Sequence, residues 1–150
     1  PYHREARRVA GLVQLQVRDL LDPYADQQRS FYQQAVCVGD YPLDHHHKEL
    51  TDILPEDYPP IPSFSVPYGA LVPETVDGLL VAEKSISVTH MTNGASRLQP
   101  VVIQLGQVAG AAAALCVQQG LQPRQISVPA LQDRLLMANV WLLPFMDTQP

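Results

Sequence analysis

The densest set of groups able to do chemistry lies in residues 85–97, Ser85-Ile86-Ser87-Val88-Thr89-His90-Met91-Thr92-Asn93-Gly94-Ala95-Ser96-Arg97. Hydroxyls, an imidazole, a glycine and a guanidinium follow one another and lead into a small-residue helix, Leu105-Gly106-Gln107-Val108-Ala109-Gly110-Ala111-Ala112-Ala113-Ala114. A Gly/Ser/Thr loop handed to a helix start suits an anionic cofactor, because N–H groups outside the helical ladder and the positive end of the helix dipole converge there. Ser87, Thr89 and His90 would stand at the end of an apolar strand, residues 79–82, where ligands gather in open α/β sheets. A histidine so placed is either a hydrogen-bonded structural residue or a proton carrier. Gly106 and Gly110, four apart, allow a close approach to the helix backbone. Tight packing and ligand binding both fit that spacing, and the preceding loop with Arg97 beside it favours a ligand.

Two further clusters carry charge or metal-ligating groups. Arg4, Glu5, Arg7 and Arg8 fit a solvated strand face, the usual meaning of a charge run, or the wall of an active site. Asp44-His45-His46-His47 invites a metal, but adjacent histidines on a strand point to opposite faces and no other ligand is spaced to complete a site. A loop or strand end with one histidine turned inward is the expected arrangement, with no metal. Cys37 and Cys116 lie far apart in apolar settings, outside any Cys-x-x-Cys pattern, and read as buried free thiols. The chain has no Gly-x-Ser-x-Gly elbow, Walker loop or Gly-x-Gly-x-x-Gly turn.

The elements that must position these groups follow from periodicity and punctuation. Residues 3–13 read as a strand with one charged face, residues 16–21 as a helical turn ending before Pro23, and residues 26–34 as a second turn or a loop. Residues 35–38 form a strand. Residues 48–62, with Pro55, Pro59, Pro60 and Pro62, form a surface insertion, since proline forbids a central strand. Residues 64–72 alternate as a strand and turn through residues 73–78 into the 79–82 strand. The main helix begins near Pro100 and stops at Gly120, a natural left-handed C-terminal position. A last helix covers residues 128–139, with Ser127 as N-cap and Pro129 in its first turn.

Composition sets the outer limits. In 150 residues, 46% hydrophobic and 17% charged content fits a globular protein of mixed α and β class. The longest apolar run, residues 108–117, is too short to span a bilayer, so no membrane span is expected. A net charge of −5, with basic residues scattered except near Arg4, Arg7 and Arg8, argues against a nucleic-acid partner. The chain opens on Pro1 without an initiator Met or signal pattern and ends on an apolar approach, and it is expected to be a piece of something longer.

Four blocks in order resemble the C-terminal part of FAD-dependent oxidoreductases of the glutathione-reductase-like two-domain group, in the subfamily often labelled xanthan lyase. They are Tyr2-His3-Arg4-Glu5-Ala6-Arg7-Arg8-Val9; Val38-Gly39-Asp40-Tyr41-Pro42-Leu43-Asp44 with His46; Val66-Pro67-Tyr68 with Leu71-Val72-Pro73 and Leu79-Leu80-Val81-Ala82; and Ile86-Ser87-Val88-Thr89-His90 with Gly94, Ser96, Arg97, Pro100 and residues 105–110. The resemblance implies that residues 87–101 contact FAD, through Ser87, His90, Gly94, Arg97 and Val101, and that the helix near Pro100 points its N-terminus at the pyrimidine edge of the flavin. It implies that Arg4, Arg7, Asp44 and His46 lie on the substrate side for binding and proton transfer. It also implies three segments: a substrate-domain portion over residues 1–62, the C-terminal segment of the FAD-binding domain over 63–120, and a terminal helix leading onward over 121–150. Where the family has Gly-Arg-Cys, this chain has Glu83-Lys84-Ser85.

The expected function is flavin-mediated hydride transfer on a small-molecule or carbohydrate substrate. It would be completed by an N-terminal dinucleotide-binding half, without which the chain should retain no FAD and have little activity. The alternative, motivated by Glu83, is a non-catalytic module of a larger polysaccharide-related or scaffolding protein.

Overall fold

The computed structural model of the chain describes residues 7–21, 31–44 and 58–143. Among them, five helices and two strands follow in the order α1 (Val17–Leu21), α2 (Phe31–Gln34), β1 (Ala35–Gly39), β2 (Phe64–Pro67), α3 (His90–Ser96), α4 (Gln99–Gln119) and α5 (Val128–Met137). The fold is therefore mixed α and β.

The long helix α4 sets the frame. Pro100 sits in its first turn, and Gly120 closes it in the left-handed region at φ 65° while donating its N–H to Cys116. Val101, Leu105, Val108, Ala112 and Leu115 recur at helical spacing and are buried. Full burial of a leucine such as Leu105 contributes about 1.5–3 kcal/mol. α5 starts as expected, with the Ser127 side chain accepting from Ala130 N–H and Pro129 in the first turn, and it buries Leu131 and Leu135. By length and composition α4 could cross a membrane, yet its Val101-to-Leu115 stripe lies in the same apolar core as Leu15, Phe64 and Leu131.

β1 and β2 pair antiparallel, with Val38 opposite Ser65 and Gly39 opposite Phe64. The register slips between Ala35 and Cys37, leaving Val36 as the extra residue of a bulge. Gly39 leaves room for the Phe64 ring, which a Cβ at this position would strike.

Three sequence expectations need correction. Residues 79–82 are not a strand: Leu79 is 44% exposed, and the backbone bond recorded there is Val81 N–H to Leu71 C=O. The strand expected over residues 64–72 ends at Pro67, where a 3₁₀ turn (Tyr68–Ala70) takes over. The described part of the first segment is irregular chain rather than a regular strand. It is nonetheless tied down by backbone bonds, with Val9 N–H to Ser85 C=O, Leu12 N–H to Val72 C=O and Leu15 N–H to Ser87 C=O. Residues 3–6 of that expected strand, and the insertion as far as residue 57, lie outside the described residues.

Candidate functional site

The polar stretch expected as a loop is mostly helical. Thr89 is the N-cap of α3, its side chain accepting from Thr92 N–H at 3.4 Å and lying 2.7 Å from the Thr92 hydroxyl. Asn93-Gly94, a turn signal by composition, falls inside the helix because tertiary packing overrides propensity. Gly94 is buried against the backbone of Asp44, where a Cβ would lie 2.5 Å from the Asp44 carbonyl oxygen. Gly94 thus serves the chain's own packing.

Arg97 follows α3 as its C-cap and is buried. Its Nη2 donates to the Asp44 carbonyl at 2.9 Å and to the Asp44 carboxylate at 3.4 Å. This brings together a residue expected at the flavin and one expected at the substrate. Sequence reasoning named both but not their contact, since 53 positions separate them.

The other expected cofactor residues are distributed unevenly. Ser87 is buried and wedged against Gly11, on which a Cβ would meet the Ser87 Cβ at 2.8 Å. Its hydroxyl, and both amide atoms of the fully buried Asn93, lack a hydrogen-bond partner among the described residues. His90 is exposed at the start of α3. The Val101 side chain lies in the core, and its carbonyl accepts a long contact from Cys37 Sγ at 3.8 Å. On the substrate side Arg7 is exposed, and the Val9-to-Ser85 bond holds its segment beside the 3₁₀ turn Glu83–Ser85. Arg4, His46 and the neighbouring histidines lie outside the described residues. Among the described residues no cluster of three His, Cys, Asp or Glu could hold a metal ion. Burial pushes the Cys37 thiol up to about 12 and the Cys116 and Tyr68 groups upward as well. All three therefore stay protonated at neutral pH.

Between α3 and α4 the backbone itself offers chemistry. The N-cap of α4 is Leu98, whose side chain can accept no hydrogen bond, and the helical ladder begins with Val102 N–H to Leu98 C=O. Gln99 and Val101 N–H groups precede that ladder, Pro100 has none, and Gln99 and Pro100 are exposed. A 21-residue helix thus begins with no side-chain oxygen at its cap, next to a buried guanidinium.

A sequence model of the FAD dependent oxidoreductase family matches residues 1–135, and the chain belongs to that family. No curated protein and no solved structure matches it. The residues fit a flavin at one point more than as a set. The first turn of α4, with Gln99 and Pro100 exposed, is of the kind that suits the edge of an isoalloxazine, while Val101 is buried and the Ser87, Gly94 and Arg97 side chains face their own chain.

Gln104 escaped the sequence reading. It lies three residues after Val101 and four before Val108, on the buried stripe of α4, and its amide pairs with Val38. A lone amide on an apolar helical stripe was the available signal.

Proposed function

We propose that this chain forms the closing wall of the flavin site in an FAD-dependent oxidoreductase of the glutathione-reductase-like two-domain group, in the subfamily labelled xanthan lyase. The observation that carries the reading is the start of α4, with Leu98 as an N-cap that leaves the first-turn N–H groups to a ligand. Flavin, when bound, supplies the hydride chemistry. The helix dipole would stabilise negative charge at the pyrimidine edge, while the Arg97 guanidinium is taken up by Asp44. Residues 63–120 then act as the C-terminal segment of the FAD-binding domain. A small-molecule or carbohydrate substrate would approach from the side of Arg4, Arg7, Asp44 and His46.

The outer face of α4 supports a second body docking there. Ile103 and Val117 are 69% and 84% exposed, and a Cβ on Gly106 or Gly110 would have nothing within 4 Å among the described residues. A dinucleotide-binding half of the same enzyme is the proposed occupant, and the chain alone should retain no FAD. Purification followed by visible absorbance tests this: stoichiometric bound FAD would overturn the requirement for the second half. Adding the dinucleotide-binding half with FAD should protect backbone amides of residues 87–101 from exchange, and unchanged exchange would overturn the flavin wall.

Glu83 favours a second reading, a non-catalytic module of a polysaccharide-related protein. It holds a carboxylate in left-handed backbone, at the position where the resemblance leads one to expect glycine. An intact Gly-x-Gly-x-x-Gly turn in the parent gene favours the enzyme, and its loss favours the module.

A further inference from the structure

Residues 38–44 leave the sheet and are tied at both ends to the region where α4 begins. At the first end, Val38 N–H donates to Gln104 Oε1 at 3.2 Å and Gln104 Nε2 donates to the Val38 carbonyl at 3.4 Å. This exchange copies the pairing of a neighbouring strand with one side-chain amide. At the other end Arg97 holds the carbonyl and carboxylate of Asp44, with Gly94 leaving room for the Asp44 backbone. The intervening Gly39-Asp40-Tyr41-Pro42-Leu43 forms an arch between the two ties. Leu43 anchors the arch in the core, Tyr41 is half-buried, and Asp40 and Pro42 face solvent.

We propose that Gln104 and Arg97 work together as a clamp that fixes this arch against the start of α4, and that Arg97 is a positioning residue acting through Asp44. Two features support a joint action. Both ties are made by side chains that bind backbone groups, so each fixes the chain path rather than one rotamer. Both anchors belong to the continuous stretch from the end of α3 into α4, so the arch and the open helix start move as one body. The guanidinium is directed at Asp44, which assigns the recognition of a flavin edge to the helix backbone. The functional side of this inference rests on the flavin-wall reading, whereas the clamp itself is measurable without flavin.

Amide hydrogen exchange in the 150-residue chain, without flavin, tests the clamp. Gln104→Ala should speed exchange about tenfold or more at Val38 and also at Leu43 and Asp44. Acceleration confined to Val38 would show that the two ties are independent and would overturn the proposal. Arg97→Met fills space without a donor and should loosen Leu43 and Asp44, while Arg97→Lys, whose ammonium can reach the same carbonyl, should restore protection to within about twofold. Equal exchange in the Met and Lys variants would overturn the role of the hydrogen bond. Should Arg97→Met also lose protection in α5, it has unfolded and Gln104→Ala decides.

Assembled with the proposed dinucleotide-binding half and FAD, Gln104→Ala leaves the Arg97 guanidinium in place. It should weaken FAD retention several-fold, and unchanged retention would overturn positioning of the helix start by the clamp. A protein that takes up no FAD in that assembly refutes the flavin wall, while the exchange measurements still judge the clamp.

Discussion

Replacing Glu83 with glycine should stabilise this chain. Glu83 is held at φ 67°, in the left-handed region, within the 3₁₀ turn Glu83–Ser85. A residue with a Cβ there approaches its own carbonyl oxygen, at a cost of about 1–2 kcal/mol. Glycine removes that clash but loses more backbone entropy on folding, about 0.5–1 kcal/mol. The side chain contributes little in exchange: its carboxylate lies 3.9 Å from the Lys84 ammonium with 59% of its own side chain exposed. Such a solvated pair is worth under about 1 kcal/mol and commonly near zero. The net expectation for Glu83→Gly is a gain of about 0.5–1 kcal/mol.

Urea unfolding reads this directly. With a slope of about 2 kcal/mol per molar, the midpoint should rise by about 0.3–0.5 M with the slope unchanged. Glu83→Ala is the control, since alanine keeps the Cβ and the strain, and it should leave the midpoint nearly unchanged. Glu83→Asn should fall between, because asparagine tolerates left-handed backbone better than most residues. If the glycine and alanine variants behave alike, or if glycine lowers the midpoint, the strain argument is wrong and the Glu83 side chain contributes through a contact of its own.

Glycine substitutions elsewhere should divide by sign. Gly94→Ala drives a Cβ to 2.5 Å from the Asp44 carbonyl and should destabilise by about 1–3 kcal/mol. Gly106→Ala and Gly110→Ala meet nothing within 4 Å among the described residues and should each stabilise the isolated chain by up to about 1 kcal/mol, while weakening association of the proposed partner body on that face. Thermal unfolding and a pull-down with the proposed dinucleotide-binding half separate the two effects. Burial raises the Cys37 thiol from 9.0 to about 12, so the unfolded chain loses this proton first as pH rises. That contribution is complete below about pH 9 and falls away toward pH 12, by up to about 4 kcal/mol. Cys37→Ala should flatten this alkaline loss, as measured by unfolding midpoints across pH. Arg124 binds the carbonyls of Pro73, Glu74 and Val76 and pairs with Asp77 at 2.8 Å. Arg124→Ala should cost about 1 kcal/mol and speed amide exchange in residues 74–78.

How much of this was legible in the sequence depends on whether the cause was local. The long helix was readable from Pro100 and Gly120, the last helix from Ser127 and Pro129, and the strand at Ala35 from its apolar run, because caps and punctuation act within a turn of the residues they govern. Residues 79–82 misled because an apolar run states a preference for burial without supplying a partner strand. Residues 90–96 misled because a Gly/Ser/Thr-rich stretch reads as a loop, whereas Thr89 caps a helix through it. The site was less legible still. Ser87, Gly94, Arg97 and Asp44 were all named, but the contacts that give Gly94 and Arg97 their present roles cross 50 and 53 positions, and no local pattern encodes them.

Gly94 and Gly106 make the distinction concrete. Each stands in a helix where alanine would be the better former, and from sequence alone both suggest a close approach. In the first the space is taken by Asp44 of the same chain, so the glycine is already used. In the second it is open, and the same residue type remains a cost to the isolated chain. Among the described residues nothing occupies the space beside Gly106 and Gly110, which is the observation behind the proposed docking of a second body on α4. Measured together, the two alanine substitutions on α4 test that docking more sharply than either stability or binding alone, because only a covered face makes the two quantities move in opposite directions.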